Sequence, residues 1–152
     1  MRTLRNQEIW FRLETPVQAP VHDGAPRKIL IADDERLIAD TLAIILRRSG
    51  FDTAVAYDGA EALAKAQAWK PDLLLSDVVM PGVNGIEAAI EIRKMIPECR
   101  VLLFSGYAES ANLLQDSRVQ GHNFEILQKP LHPAELIAHL QTVSVPWGRA
   151  GS

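Results

Sequence analysis

Residues 72–85 read DLLLSDVVMPGVNG, and this stretch decides the fold. Leu73, Leu74 and Leu75 make an unbroken apolar run, the pattern of a short strand buried on both faces of a parallel sheet. The spacing predicts a strand over Asp72–Ser76 that ends at Asp77. A Pro81-Gly82 pair then marks a turn, and Asn84 is placed to cap a helix running to about Met95, before Pro97. A strand covered on both faces requires helices on each side, so the flanking sequence has to supply further strand–helix pairs.

It supplies them in both directions. Upstream, KILIA (Lys28–Ala32) reads as a strand, followed by a helix over Arg36–Arg48 in which Leu37, Leu42, Ile45 and Leu46 are expected to form the buried face, closed by Gly50. Asp52–Ala56 is the next strand. Asp58 is a good N-cap for a helix over Gly59–Trp69, with Glu61 at the third helical position and Pro71 beyond its end. Downstream come a strand over Arg100–Phe104, a helix over about Glu109–Gln120, a strand over Phe124–Leu127, and a helix from Pro133 to about Val143. Five such units predict an α/β, doubly wound five-stranded parallel sheet with right-handed crossovers and strand order 2-1-3-4-5. In that order strands one and three meet at the topological switch point, where ligands bind at the strands' C-terminal ends.

Four of the five strands finish in a residue that phosphoryl chemistry uses: Asp33 and Asp34, Asp77, Ser105 and Lys129. Carboxylates and an ammonium at apolar strand ends are costly to desolvate unless paired or metal-bound. Three carboxylates at one edge therefore call for a cation. Mg2+ fits best, because it is held by one or two carboxylates, retained waters and a phosphate, and no His or Cys belongs to the cluster. Lys129 and the Ser105 hydroxyl add an anion site beside it. Asp77, in the middle, is placed to attack a phosphoryl group, with charge stabilised by metal and lysine.

Four blocks, IADDE (31–35), LLLSDVVMPGVNG (73–85), VLLFSGYA (101–108) and ILQKP (126–130), resemble the signature blocks of bacterial two-component response-regulator receiver domains, here of the single-domain type, with a flavodoxin-like receiver fold. The resemblance covers Lys28 to about Val143. It implies that Asp77 is the phosphoacceptor, that Asp34 and Asp77 hold Mg2+ with the Val79 backbone carbonyl, that Asp33 acts partly through water, and that Ser105 and Lys129 contact the phosphate. It also implies a sensor histidine kinase, a histidine phosphotransfer protein or a small phosphodonor as the phosphoryl source. The output would be altered binding of a downstream protein target through the fourth helix, fifth strand and fifth helix, a surface that also serves homodimers. Such a protein is a switch that catalyses only its own phosphorylation and dephosphorylation. One departure stands out. The family places an aromatic residue three positions before the lysine, where this chain has Ile126, so Phe124 or Tyr107 would have to take over that movement or the coupling is reduced. Val79 and Tyr107 lie where the family tunes hydrolytic water, and slow dephosphorylation is expected.

The rest of the chain sets bounds. Hydrophobic residues at 47% and charged residues at 23% suit a globular protein. Residues 1–26, with TPVQAPVHDGAP at 15–26, read as a flexible tail, 27–145 as the receiver domain and 146–152 as a C-terminal tail with no room for an effector domain. A net charge of -3 and a pI near 5.8 give no basic field for nucleic acid. The apolar cluster Ile9, Trp10, Phe11 and Leu13 is broken by Arg12 and is too short for a signal peptide, and no run suits a membrane span. The single cysteine, Cys99, fits a reducing compartment, and a cytoplasmic location is expected. His22, His122, His132 and His139 match no metal spacing. A small-molecule phosphatase of the haloacid-dehalogenase type would need a second acid two residues after the nucleophile, where Val79 stands, and no Gly-rich phosphate loop follows the first strand. The remaining alternative is a receiver-like scaffold that binds partners without being phosphorylated.

Overall fold

The computed structural model describes residues 27–106 and 111–142. The two tails, the Ile9–Leu13 cluster, Tyr107 and Glu109 lie outside the described residues. The strands are β1 (Lys28–Ala32), β2 (Asp52–Ala56), β3 (Leu73–Asp77), β4 (Arg100–Ser105) and β5 (Glu125–Gln128), and the helices are α1 (Arg36–Arg48), α2 (Gly59–Trp69), α3 (Gly85–Met95), α4 (Ala111–Val119) and α5 (Pro133–Thr142). All pairings are parallel and the order is β2-β1-β3-β4-β5, as the sequence predicts. β3 and β5 begin one residue later than expected. Asp77 and Ser105 are the last residues of their strands rather than the first of the loops, because the ladder continues through both: Asp77 is in register with Phe104, and Ser105 with Gln128.

The period-2 alternation of the strands sorts the core into two layers. Ile29, Ile31, Leu73, Leu75, Leu102 and Phe104 pack with Leu42 and Leu46 of α1 and Leu136 and Leu140 of α5. Leu30, Leu74, Val101 and Leu103 face the opposite layer, with Ala62 and Ala66 of α2 and Ile86, Ala89 and Ile92 of α3. The caps are those expected from local chemistry. Asp58 accepts a hydrogen bond from the Glu61 N–H at 2.8 Å, while Asn84 and Glu87 form a reciprocal capping box at the start of α3.

One expectation fails. Leu37 is 79% exposed and Ile45 is only half-buried, and the buried face of α1 is Ala39, Leu42, Ala43 and Leu46. At roughly 100° per residue, Leu37 and Leu46 point to opposite sides of the helix. The two alanines let α1 lie close to the sheet, and this turns Leu37 outward.

Candidate functional site

Because all five strands run the same way, their C-terminal residues share one edge. The register sets their heights. Ala32 lies beside Ser76, so Asp33 follows at the level of Asp77; Ser105 and then Lys129 stand one and two steps further along. Backbone bonds continue past the strand ends and hold these residues. The Asp33 N–H donates to the Ala56 carbonyl at 3.1 Å, and the Lys129 N–H donates to the Ser105 carbonyl at 3.0 Å.

The side chains converge as the sequence predicts. One carboxylate oxygen from each of Asp33, Asp34 and Asp77 lies within 4.8 Å of the others. Asp33 and Asp77 are buried, at 0% and 4% exposure, whereas Asp34 is exposed. Lys129 Nζ donates to Asp77 Oδ2 at 3.0 Å. Asp77 Oδ1 accepts a long bond from the Val79 N–H at 3.4 Å, which anchors the loop carrying the Val79 carbonyl. Ser105 is buried beside this group.

The electrostatics are dominated by buried carboxylates. Burial pushes the Asp33 carboxyl up to about 6, against the Glu35 N–H that donates to its Oδ1 at 3.0 Å and lowers it, and with the Asp77 charge raising it further. Its Oδ2 is buried with no hydrogen-bond partner. Asp77 is also raised by burial, which outweighs its bond to Lys129. For Lys129, burial works downward, but the bond to Asp77 and the nearby carboxylates carry its pKa up. Both partners of the pair therefore move upward, the lysine because it is matched and the aspartate because it is desolvated. An orphaned, buried carboxylate oxygen facing two other carboxylates suits a small hard cation with oxygen ligands, so the donor set fits Mg2+.

Several supporting contacts are not evident from the sequence. Lys129 Nζ sits 5.7 Å from the centroid of the Phe104 ring, a cation–π platform from the last interior position of β4. Gly85 permits α3 to start against the site: a Cβ there would lie 2.0 Å from the Asp77 carbonyl oxygen. Its position one residue after the Asn84 cap is the only local hint. His139 contacts the edge strand, its Nε2 lying 2.7 Å from Glu125 Oε2, close enough for an ion pair when protonated though not aligned for a hydrogen bond. Among the aromatic alternatives to Ile126, Phe124 is partly buried and stacked on His122 at 6.1 Å, and Ile126 itself packs on the α2/α3 layer. Tyr107 lies outside the described residues.

A doubly wound sheet with an acidic pocket and a paired lysine at its switch point has the arrangement that phosphoryl chemistry uses. Residues 29–141 match the family described as response regulator receiver domain, and the chain belongs to that family. It is 31% identical over 121 residues to the DNA-binding response regulator MtrA of Mycobacterium tuberculosis, covering 78% of this chain and 51% of that protein. It is 30% identical to the chemotaxis protein CheY of Thermotoga maritima, covering 78% of this chain and 98% of that protein. The chain thus spans about half the length of the curated DNA-binding relatives it matches. Among solved structures, a CheY-like receiver domain protein from Methanospirillum hungatei aligns with a TM-score of 0.68 at 28% identity, over 76% of this chain and 91% of the other. Chemotaxis protein CheY4 of Vibrio cholerae aligns with a TM-score of 0.68 at 32% identity, over 78% and 99%. Membership of the family carries phosphorylation-based two-component signalling as the general role. Among the described residues no helix is long and apolar enough to cross a membrane.

Proposed function

We propose that this protein is a phosphorylation-dependent switch in which Asp77 accepts a phosphoryl group from a sensor histidine kinase or histidine phosphotransfer protein and the modified domain changes its binding to a downstream protein. The observation that carries this reading is the Asp77 carboxylate, buried, bonded to Lys129 at 3.0 Å and grouped with Asp33 and Asp34.

In the transfer, a carboxylate oxygen of Asp77 forms a bond to phosphorus while the bond from phosphorus to the donor's imidazole nitrogen breaks, its electron pair leaving with the nitrogen. Asp33, Asp34, Asp77 and the Val79 carbonyl would hold Mg2+, which would supply neutralisation of charge on the phosphoryl oxygens. Lys129 moves from Asp77 to the phosphate, and the Ser105 hydroxyl donates to a second oxygen. The catalysis is confined to the protein's own phosphorylation and dephosphorylation. Val79, 42% exposed beside the acceptor, is an apolar obstacle to hydrolytic water and favours a slow return. A surface of α4, β5 and α5 serves the downstream partner and, in this reading, a homodimer. The net acidity disfavours direct nucleic-acid contact by these residues, and the lone buried Cys99, with a thiol pushed up to about 12 by burial, suits a cytoplasmic setting.

The test is intact mass after incubation with acetyl phosphate and Mg2+. Gain of one phosphoryl group is expected, and it should vanish in Asp77→Asn and without Mg2+. A folded sample that gains nothing, from acetyl phosphate or from a phosphorylated histidine kinase, would overturn the reading in favour of a phosphorylation-independent scaffold. Ile126 is the observation that supports that second reading, because an aliphatic side chain cannot make the aromatic swing that reports phosphorylation.

A further inference from the structure

Bordering the site, and sharing Glu35, Phe104 and Lys129 with it, the surface opens into an apolar cleft of about 510 Å³ between the start of α1 and the β5–α5 connection. Leu37, Ile38, Leu42, Pro130 and Leu131 contribute its apolar lining, and Glu35 and Lys129 are its charged residues. Leu37 at 79% exposure and Ile38 at 37% leave this surface open to water. A single exposed leucine needs no explanation, but two large side chains continuous with a cleft of this size mark a binding surface.

The same chain carries a matching segment. Of the five residues Ile9–Leu13, four are large and apolar, and the fifth is Arg12. We infer that Ile9–Leu13 docks in the α1/β5–α5 cleft, with its apolar side chains against Leu37 and Ile38 and Arg12 near Glu35. Three observations select this occupant. The first is chemical, since an apolar run interrupted by a cation suits an apolar cleft with a carboxylate among its lining residues. The second is reach. Thirteen residues, Glu14–Pro26, join the segment to Arg27, and at roughly 3.1 Å per residue in a proline-containing linker they span about 40 Å. β1, which separates Arg27 from the site edge, has five residues, about 17 Å at ~3.3 Å each. The third is tethering. A linker of this length holds the segment at an effective concentration on the order of millimolar, so a contact with an intrinsic Kd of about a millimolar is closed about half the time.

The inference does not depend on phosphorylation, and its test reads contact alone. In the full chain, a Phe11→Cys/Leu37→Cys double variant is oxidised and compared with Phe11→Cys/Met95→Cys, whose second thiol lies on α3 across the sheet. Leu37 and Met95 are both exposed, so neither change threatens the fold, and Cys99 is buried away from the reaction. The expected result is an intramolecular disulfide forming about tenfold faster, or more, in the Leu37 pair than in the Met95 pair. Equal rates would overturn the inference, and so would a disulfide that forms only between molecules, which would assign the cleft to a second copy. In parallel, Trp10→Ala/Phe11→Ala in the full chain should move the NMR signals of Leu37, Ile38 and Thr41. Unmoved signals at those three positions would overturn it independently.

Discussion

β3 and β5 each deliver one charged side chain to the same site, yet they are built in opposite ways. Every residue of β3 is buried, and it is paired on both edges, with β1 and β4. No residue of β5 is buried, and its one neighbour is β4. Asp77 is thus anchored in the part of the molecule that opens at the highest free energy, and Lys129 in a part that opens at low cost. A switch benefits from this inequality. Under the proposed function, Asp77 would have to be held in place, whereas the element that senses its charge would have to shift for a modest change in interaction energy.

The inequality has measurable consequences. Leu75→Ala on β3 should cost about 4 kcal/mol by urea denaturation, the range for a fully buried leucine, whereas Ile126→Ala on β5 should cost only about 1 to 2 kcal/mol. Equal losses would break the comparison. The glycines give a second contrast. Gly85→Ala forces a methyl group into the Asp77 carbonyl and should cost about 3 kcal/mol. Gly121→Ala meets nothing within 4 Å but retains a φ of +94°, and should cost about 1 kcal/mol from backbone strain alone. If Gly85→Ala were as mild as Gly121→Ala, α3 would not be wedged against the site.

Much of this was legible in the sequence because the signals are local. Leu73–Leu75 announces a two-sided strand, and Asp58 and Asn84 announce helix starts through hydrogen bonds that span three residues. The polar site residues were legible because each closes an apolar run. Leu37 was misread because helical spacing alone does not say which arc of α1 faces the sheet, and the decisive residues, Ala39 and Ala43, are small and weakly patterned. Phe104 beneath Lys129 and the Glu125–His139 contact depend on which strands and helices become neighbours, so no short window could contain them; the Glu35 N–H on Asp33, two residues apart, is local and went unread.

The acidic pocket supplies the next test of the rigid centre. In metal-free protein the Asp33 pKa stands near 6, above its ordinary 3.8, so the folded state holds a proton that the unfolded chain releases earlier. Stability from this residue is therefore present below about pH 3.8 and is lost as the pH rises through about 6, by up to about 3 kcal/mol. Without metal, Asp33→Asn should be more stable than the native chain at pH 7, and the advantage should shrink toward pH 4. Mg2+ should reverse the order at pH 7 by matching the buried charge. An Asp33→Asn advantage that did not vary with pH would mean that Asp33 carries no buried charge.

The smallest effect expected lies at the edge. Glu125 joins three elements: its Oε1 accepts from Arg100 Nη2 of β4 at 3.2 Å, and its Oε2 lies 2.7 Å from His139 of α5. A network spanning β4, β5 and α5 would be the obvious means of stiffening this side. Its members are partly exposed, however, so water competes for every contact and salt screens it. Glu125→Gln should therefore cost less than about 1 kcal/mol, and less again in 1 M salt. A loss of several kcal/mol would mean that β5 is fastened by charge rather than left loose for want of burial, and the contrast with β3 would have to be redrawn in electrostatic terms.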